Sequence, residues 1–232
     1  MTPPLEPPRH GYRGVPTPPP TARRPRSLTV AVSREAGSRG GTVAAAVGRL
    51  LGWPVYTQEM LDFLARDDAA RADLLADLPD DTRQWAAAET ARLAFDRGLD
   101  PASDTVAVAG LVLSVAARGD AVVVGRGAGF LLPPDATLHV RVVAPIEQRV
   151  AYLSQWLRMT GPEATAEVRD RDRRRAAFLS AFTAQDVSDP AVYDVVVNSA
   201  RLGLEGAAEV VAAAVRAKQL AAPSEADEVD PV

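Results

Sequence analysis

Cysteine is missing from all 232 residues. Its absence excludes disulfides and thiolate metal sites, and it fits a reducing compartment, so a cytoplasmic protein is expected. Lysine is nearly absent too. Lys218 is the single example, so the basic chemistry falls to arginine, which is always charged and offers a planar fork suited to phosphate. The chain is richer still in alanine, and a compositional bias accounts for most of these arginines. The two histidines, His10 and His139, lie far apart with no obvious ligand partner. No apolar run approaches the roughly 20 residues that span a bilayer. The N-terminus has no apolar signal region, so an uncleaved start is expected. A net charge of -4 gives no whole-molecule attraction to nucleic acid or membrane, and neither partner is expected.

What is present reads as one domain between two tails. Prolines crowd residues 1–26, from Pro3 to Pro25, and Arg23, Arg24 and Arg26 close the stretch, which reads as a disordered tail. Residues 221–232 are acidic and read as a second disordered tail. Between them, over 27–220, strand and helix patterns alternate. Leu28–Val32, Pro54–Tyr56, Ala121–Val124, Leu138–Val143 and Val195–Val197 read as strands. Val43–Leu51 reads as a helix, 57–117 as mostly helical with breaks near Pro79 and Pro101, and 163–180 as an arginine-rich helix. Ile146, Val150, Leu153 and Leu157 share a helical face, as do Leu204, Ala208, Val211 and Val215. Continuous apolar strands separated by helices predict a three-layer α/β/α fold on a five-stranded parallel sheet.

The first strand runs into Gly37-Ser38-Arg39-Gly40-Gly41 and then Thr42, which opens a helix. Strand, glycine turn and helix together make a phosphate site. Glycines let backbone N–H groups converge on one anion, and the helix start adds partial positive charge. Thr42 offers a hydroxyl to a magnesium shell. The standard loop G-x-x-x-x-G-K-[ST] carries a lysine that reaches the outer phosphates. If Thr42 is taken as the terminal hydroxyl residue of a G-K-G-T type loop, Gly40 occupies the lysine position, and Arg34 and Arg39 are the nearest cations. A tight turn with an ordinary helix cap explains the same string without a ligand.

A second cluster, Gly125-Arg126-Gly127-Ala128-Gly129, follows the strand ending at Val124. Phe130 stands where a dinucleotide fingerprint would place its third glycine, which ranks a nicotinamide or flavin enzyme low. A loop at the carboxyl end of a parallel strand is still where such folds bind ligands, and Arg126 is placed there to meet an anion.

Several segments, in order, resemble the cytidylate kinase-like proteins, a branch of the nucleoside monophosphate kinases. The segments are VSREAGSRGG, LGWPVY and VVVGRGAGFLLPPDATLHVRVVAP, then Asp172, Arg175, Ala176, Phe178 and Leu179, then YDVVVNSARLGLE; together they span about 28–215. The resemblance implies ATP-dependent phosphorylation of a nucleoside monophosphate, CMP or dCMP first, with ATP and Mg2+ required. It implies that Gly37, Ser38, Arg39, Gly40, Gly41 and Thr42 cradle the donor, with Thr42 near magnesium. It places Arg34, Gly125, Arg126, Asp172 and Arg175 at the acceptor, and gives catalytic roles to Arg39, Arg126, Asp172 and Arg175. It makes 57–117 the helical acceptor-binding insert and 160–182 the lid.

Three departures stand out: the loop lysine is missing, Gly127 replaces the aspartate after the GR pair, and Thr57 replaces an acidic residue after Tyr56. Each removes a contact to phosphate, acceptor or magnesium. A nucleotide-binding regulatory protein with impaired catalysis is therefore the alternative, and an interaction protein working through its tails stands last. Arg169, Arg171, Arg173 and Arg174, offset by Asp170, read chiefly as a solvated face, with Arg173 ranked behind Asp172 and Arg175. The sequence leaves the oligomeric state open.

Overall fold

The computed structural model describes residues 27–180 and 182–221; the expected tails, 1–26 and nearly all of 221–232, lie outside them. The first strand, β1 (Thr29–Arg34), forms one residue later than the apolar run and continues to Arg34. It leads through the glycine turn into α1 (Gly40–Leu51), and β2 (Val55–Tyr56) follows. Four helices come next: α2 (Gln58–Arg66), α3 (Asp68–Ala76), α4 (Asp80–Arg97) and α5 (Asp104–Arg118). Then come β3 (Ala121–Val124), the short α6 (Ala128–Leu131), β4 (Thr137–Val143), α7 (Ile146–Leu157), α8 (Gly161–Leu179), β5 (Val195–Asn198) and α9 (Ser199–Ala221).

The five strands form one parallel sheet in the order β2-β3-β1-β4-β5, as the alternation of apolar strands and helices predicts. Successive side chains of β1 point to opposite layers. Val30 and Val32 join Val122, Val140 and Val142 in packing against Val43 and Val47 of α1 and Ala208, Val211 and Val215 of α9. Ala31 and Val123 face the other way, against Leu111, Val112 and Val115 of α5 and Trp85 of α4.

Local chemistry sets the helix ends. Asp67 accepts from Ala70 N at 2.9 Å and so caps α3, a break between α2 and α3 that the helical pattern does not show. Gly98, in the left-handed region, ends α4, and Ser103 caps α5. Thr57, the departure noted after Tyr56, accepts from Met60 N and caps α2. Thr160 and Glu163 form a reciprocal capping box at the start of α8. No described helix is long and apolar enough to cross a membrane. Because all strands are parallel, their carboxyl ends share one rim of the sheet, and both glycine loops sit there.

Candidate functional site

The chain leaves β1 at Arg34 and re-enters a helix at Gly40. Glu35 N bonds Val142 O at 3.1 Å, Ser38 N bonds Glu35 O at 3.3 Å, and the Ser38 hydroxyl donates to the same carbonyl at 2.9 Å. Ser199, at the start of α9, donates to Ser38 O at 2.7 Å and pins the turn from outside. Gly37 has φ +79°, and a Cβ there would lie 2.5 Å from Arg149 O, so only glycine fits. Arg39 caps α1 with φ 58°, an uncommon conformation for a residue with a side chain. The amides of Gly40 and Gly41 open the helix, with no earlier helical carbonyl to bond.

An inner cavity of about 780 Å3 lies beyond the end of β1, between β1, the loop after β3, α2 and α8, and none of residues 37–42 lines it. Six arginines line it, Arg34, Arg126, Arg141, Arg171, Arg174 and Arg175, against four carboxylates, Glu35, Glu59, Glu167 and Asp172. Burial, then the neighbouring Arg175, push Arg34 down to about 10; Arg126 acts the same way and Glu59 opposes. Burial also lowers Arg175, against the pull of Asp172. Arg34 donates to Gln58 Oε1 at 3.2 Å. Gly125 has φ +81°, and a Cβ there would lie 2.4 Å from Arg34 Nη1. Arg126 also sits in the left-handed region, pairs with Asp62 of α2, and lies 5.1 Å over the Phe178 ring of α8. Its buried Nε has no hydrogen-bond partner among the described residues. Cations crowded together with an unused buried donor make a site for a highly charged anion.

One network ties α8 to the turn. Asp172 Oδ1 accepts from Ala36 N at 2.7 Å, and Oδ2 accepts from Arg149 Nη1 at 2.6 Å. Arg149, on α7, also donates to Ala36 O at 3.3 Å and lies 3.5 Å from Glu35 Oε2. Arg175 donates to Arg34 O at 3.3 Å. Both oxygens of Asp172 are therefore engaged in holding the helix against the loop.

Beneath the cavity, His139 of β4 is buried among Phe130 and Tyr193. Desolvation pushes its pKa down to about 4. Its Nδ1 lies 3.1 Å from Val192 O, which can only accept, so Nδ1 carries the proton and Nε2 accepts from the Ser33 hydroxyl at 3.0 Å. Ser33 also lines the cavity.

A second cavity of about 490 Å3 lies on the outer side of the turn. Gly37, Ser38 and Arg39 form one wall, and Tyr152, Ser199, Ala200 and Gly203 contribute to the rest. Arg39 lies 5.3 Å over the Tyr152 ring.

The sequence-predicted residues thus divide. Arg34, Gly125, Arg126, Asp172 and Arg175 gather at the first cavity, whereas Gly37, Ser38 and Arg39 face the second. Gly40, Gly41 and Thr42 line neither, and Thr42 is exposed. Arg171, half-buried, and Arg174, exposed as the solvated reading expects, both line the first cavity while pairing with Glu167 and Asp170; Arg169 and Arg173 are exposed and line neither cavity. Sequence reasoning missed Asp62, Glu35 and Arg149. Glu59 and Asp62, three apart on one helix face, carried a usable signal; Arg149 carried none. No three His, Asp or Glu side chains among the described residues converge as a metal site. Magnesium in phosphoryl transfer takes much of its shell from substrate phosphates and water, so this set remains compatible with it.

A family model described as the cytidylate kinase-like family matches residues 29–201. A protein named cytidylate kinase from Natronomonas pharaonis is 26% identical over 195 residues, covering 82% of this chain and 90% of the relative. Another of that name, from Halobacterium salinarum, is 27% identical over 192 residues, covering 83% and 91%. Among solved structures, an uncharacterized protein from Eubacterium ventriosum superposes with a TM-score of 0.59 at 16% identity, covering 83% of this chain and 99% of that one.

Proposed function

The chain belongs to the cytidylate kinase-like family, and on that premise we propose that it transfers the γ-phosphoryl group of ATP to a nucleoside monophosphate, CMP or dCMP first. The family supports nucleotide kinase activity; the acceptor is our reading. The observation that carries it is the inner cavity lined by six arginines, with the Arg126 Nε unused, together with a second cavity lined by Gly37, Ser38 and Arg39 of the turn. A two-substrate transfer needs such a pair. The donor nucleoside would lie in the outer cavity against Tyr152, its phosphates would cross the Gly37–Thr42 amides, and the acceptor phosphate would meet Arg34, Arg126 and Arg175.

In the reaction, an acceptor phosphate oxygen attacks the γ-phosphorus. The bond from that phosphorus to the β–γ bridging oxygen breaks, and ADP leaves with the electron pair. The attacking oxygen is already ionised at neutral pH, so no dedicated base is needed. What the protein supplies is alignment, exclusion of water and positive charge over the equatorial oxygens. Asp172 serves by fixing α8, and with it Arg175, against the turn. Magnesium would neutralise donor phosphate charge when bound, and Thr42 is the hydroxyl assigned to its shell. Residues 57–117 would form the acceptor-binding insert and 160–182 the lid.

A second reading, nucleotide binding without turnover, draws on the glycine at position 40 and on Arg39 lying over Tyr152 rather than in the inner cavity. An acceptor screen with ATP and magnesium separates the two. Monophosphate-dependent ADP release establishes the kinase, whereas a thermal shift with ATP and no turnover with any common acceptor establishes the binder.

A further inference from the structure

With Thr42 as the terminal hydroxyl residue of a G-K-G-T type loop, the lysine position falls on Gly40. A Cβ on Gly40 would lie 2.6 Å from Arg34 Cβ, 3.4 Å from Arg34 Cδ and 3.3 Å from Val142 Cβ. Real Cβ contacts do not come under 3.0 Å, and Arg34 Cβ is fixed to the end of β1, so it cannot swing away. Position 41 meets nothing within 4 Å, so the restriction belongs to position 40 and not to the helix start in general. The Arg34 stem thus runs past the Cα from which a loop lysine would project. Its guanidinium lies on the inner side of the turn, packed on Gly125 and bonded to Gln58.

We propose that Arg34 delivers to the donor's outer phosphates the positive charge that the standard loop draws from its lysine, and that positions 34 and 40 are coupled so that only one of them carries a side chain. The cation has moved from the first turn of α1 to the end of β1, a shift across one short contact. This inference rests on the reading of the turn as a triphosphate site. An arginine there brings a fork instead of a point charge, which suits a cation that must touch both the transferring and the receiving phosphate.

Two measurements on the full chain test it. Gly40→Ala should lower the melting temperature in the wild-type background, and the loss should largely vanish when Arg34→Gly is also present; equal losses in both backgrounds overturn the coupling. Calorimetric ATP affinity, measured without acceptor, should fall by about 30-fold or more in Arg34→Met. It should recover at least in part in the double variant Arg34→Gly/Gly40→Lys. Undiminished ATP binding by Arg34→Met overturns the charge assignment, as does a folded double variant that binds no better than Arg34→Met. If the double variant does not fold, the Arg34→Met affinity decides alone. Since no acceptor is present, a wild-type chain that binds ATP in this pattern yet turns over no monophosphate would defeat the kinase reading and leave this inference standing.

Discussion

The two cavities differ in lining and in chemistry, and only the outer one is walled by the glycine turn. The inner one holds six arginines against four carboxylates, with Arg34 depressed to about 10 by burial and by its cationic neighbours. The outer one presents a single arginine, Arg39, lying over Tyr152 beside small residues of α9. Cations packed this densely favour an anion, whereas the outer cavity sets one arginine and Glu205 beside the Tyr152 ring. The arginine-rich cavity and the cavity beside the turn are therefore chemically distinct. Glycines make the turn, and an arginine in the left-handed region stands on each side, Arg39 outside and Arg126 inside.

The largest expected effect would break this division. Arg126→Ala should lower kcat/KM for the acceptor by about 100- to 1000-fold while leaving ATP affinity nearly unchanged. Steady-state kinetics with each substrate varied checks it, and an equal loss for both would merge the cavities into one site. Next comes pH. The His139 imidazole protonates near 6.5 when unfolded and only near 4 when folded, so its contribution to stability is full above 6.5 and is lost as pH falls toward 4. The loss amounts to about 3 kcal/mol. Melting curves of His139→Gln should therefore show a shallower acid slope than wild type; Asp194, Lys218 and Arg141, which also face the ring, are common to both proteins.

Smaller effects sharpen the comparison. Asp172→Asn should cost about 2 kcal/mol of stability, because the amide turns a donor toward Arg149. Turnover should fall with it, by about tenfold, as Arg175 loses its fixed position; a denaturant titration beside an activity assay reads both. Tyr152→Ala should weaken ATP binding by about fivefold, with acceptor KM untouched, by calorimetry. Smallest of all, Arg39→Gly should raise stability by about 1 kcal/mol, since glycine adopts φ 58° without penalty. A drop in its melting temperature would show that the stack on Tyr152 outweighs the strain.

Much of this was legible in the chain itself. The valine runs of β1, β3 and β4 announce buried parallel strands because both faces are covered. The glycine turn announces itself because the close approach at Gly37 and the tight packing at Gly40 tolerate nothing larger. What could not be read is what the fold brings together from afar. Arg149 meets Ala36 across 113 positions, and Asp62 meets Arg126 across 64, and no local spacing encodes either. The arginines of α8 were ambiguous for a related reason. Their partners one turn away look like surface pairs, and only the position of the helix over the cavity separates Arg171 and Arg174 from Arg169 and Arg173.

Lys218, the chain's single lysine, holds Asp194 at 2.9 Å and also donates to Thr137 O. Thr137 begins β4, so this contact lies on the rim opposite the glycine loops. Amine-directed chemistry, whether a biotin ester on a sensor chip or enzymatic acylation, has therefore one side-chain target, and it faces away from both cavities. The protein can be tethered through that residue with its glycine-loop rim turned to solution. Reagents that silence many phosphate-binding proteins by capping a loop lysine would find nothing to cap here.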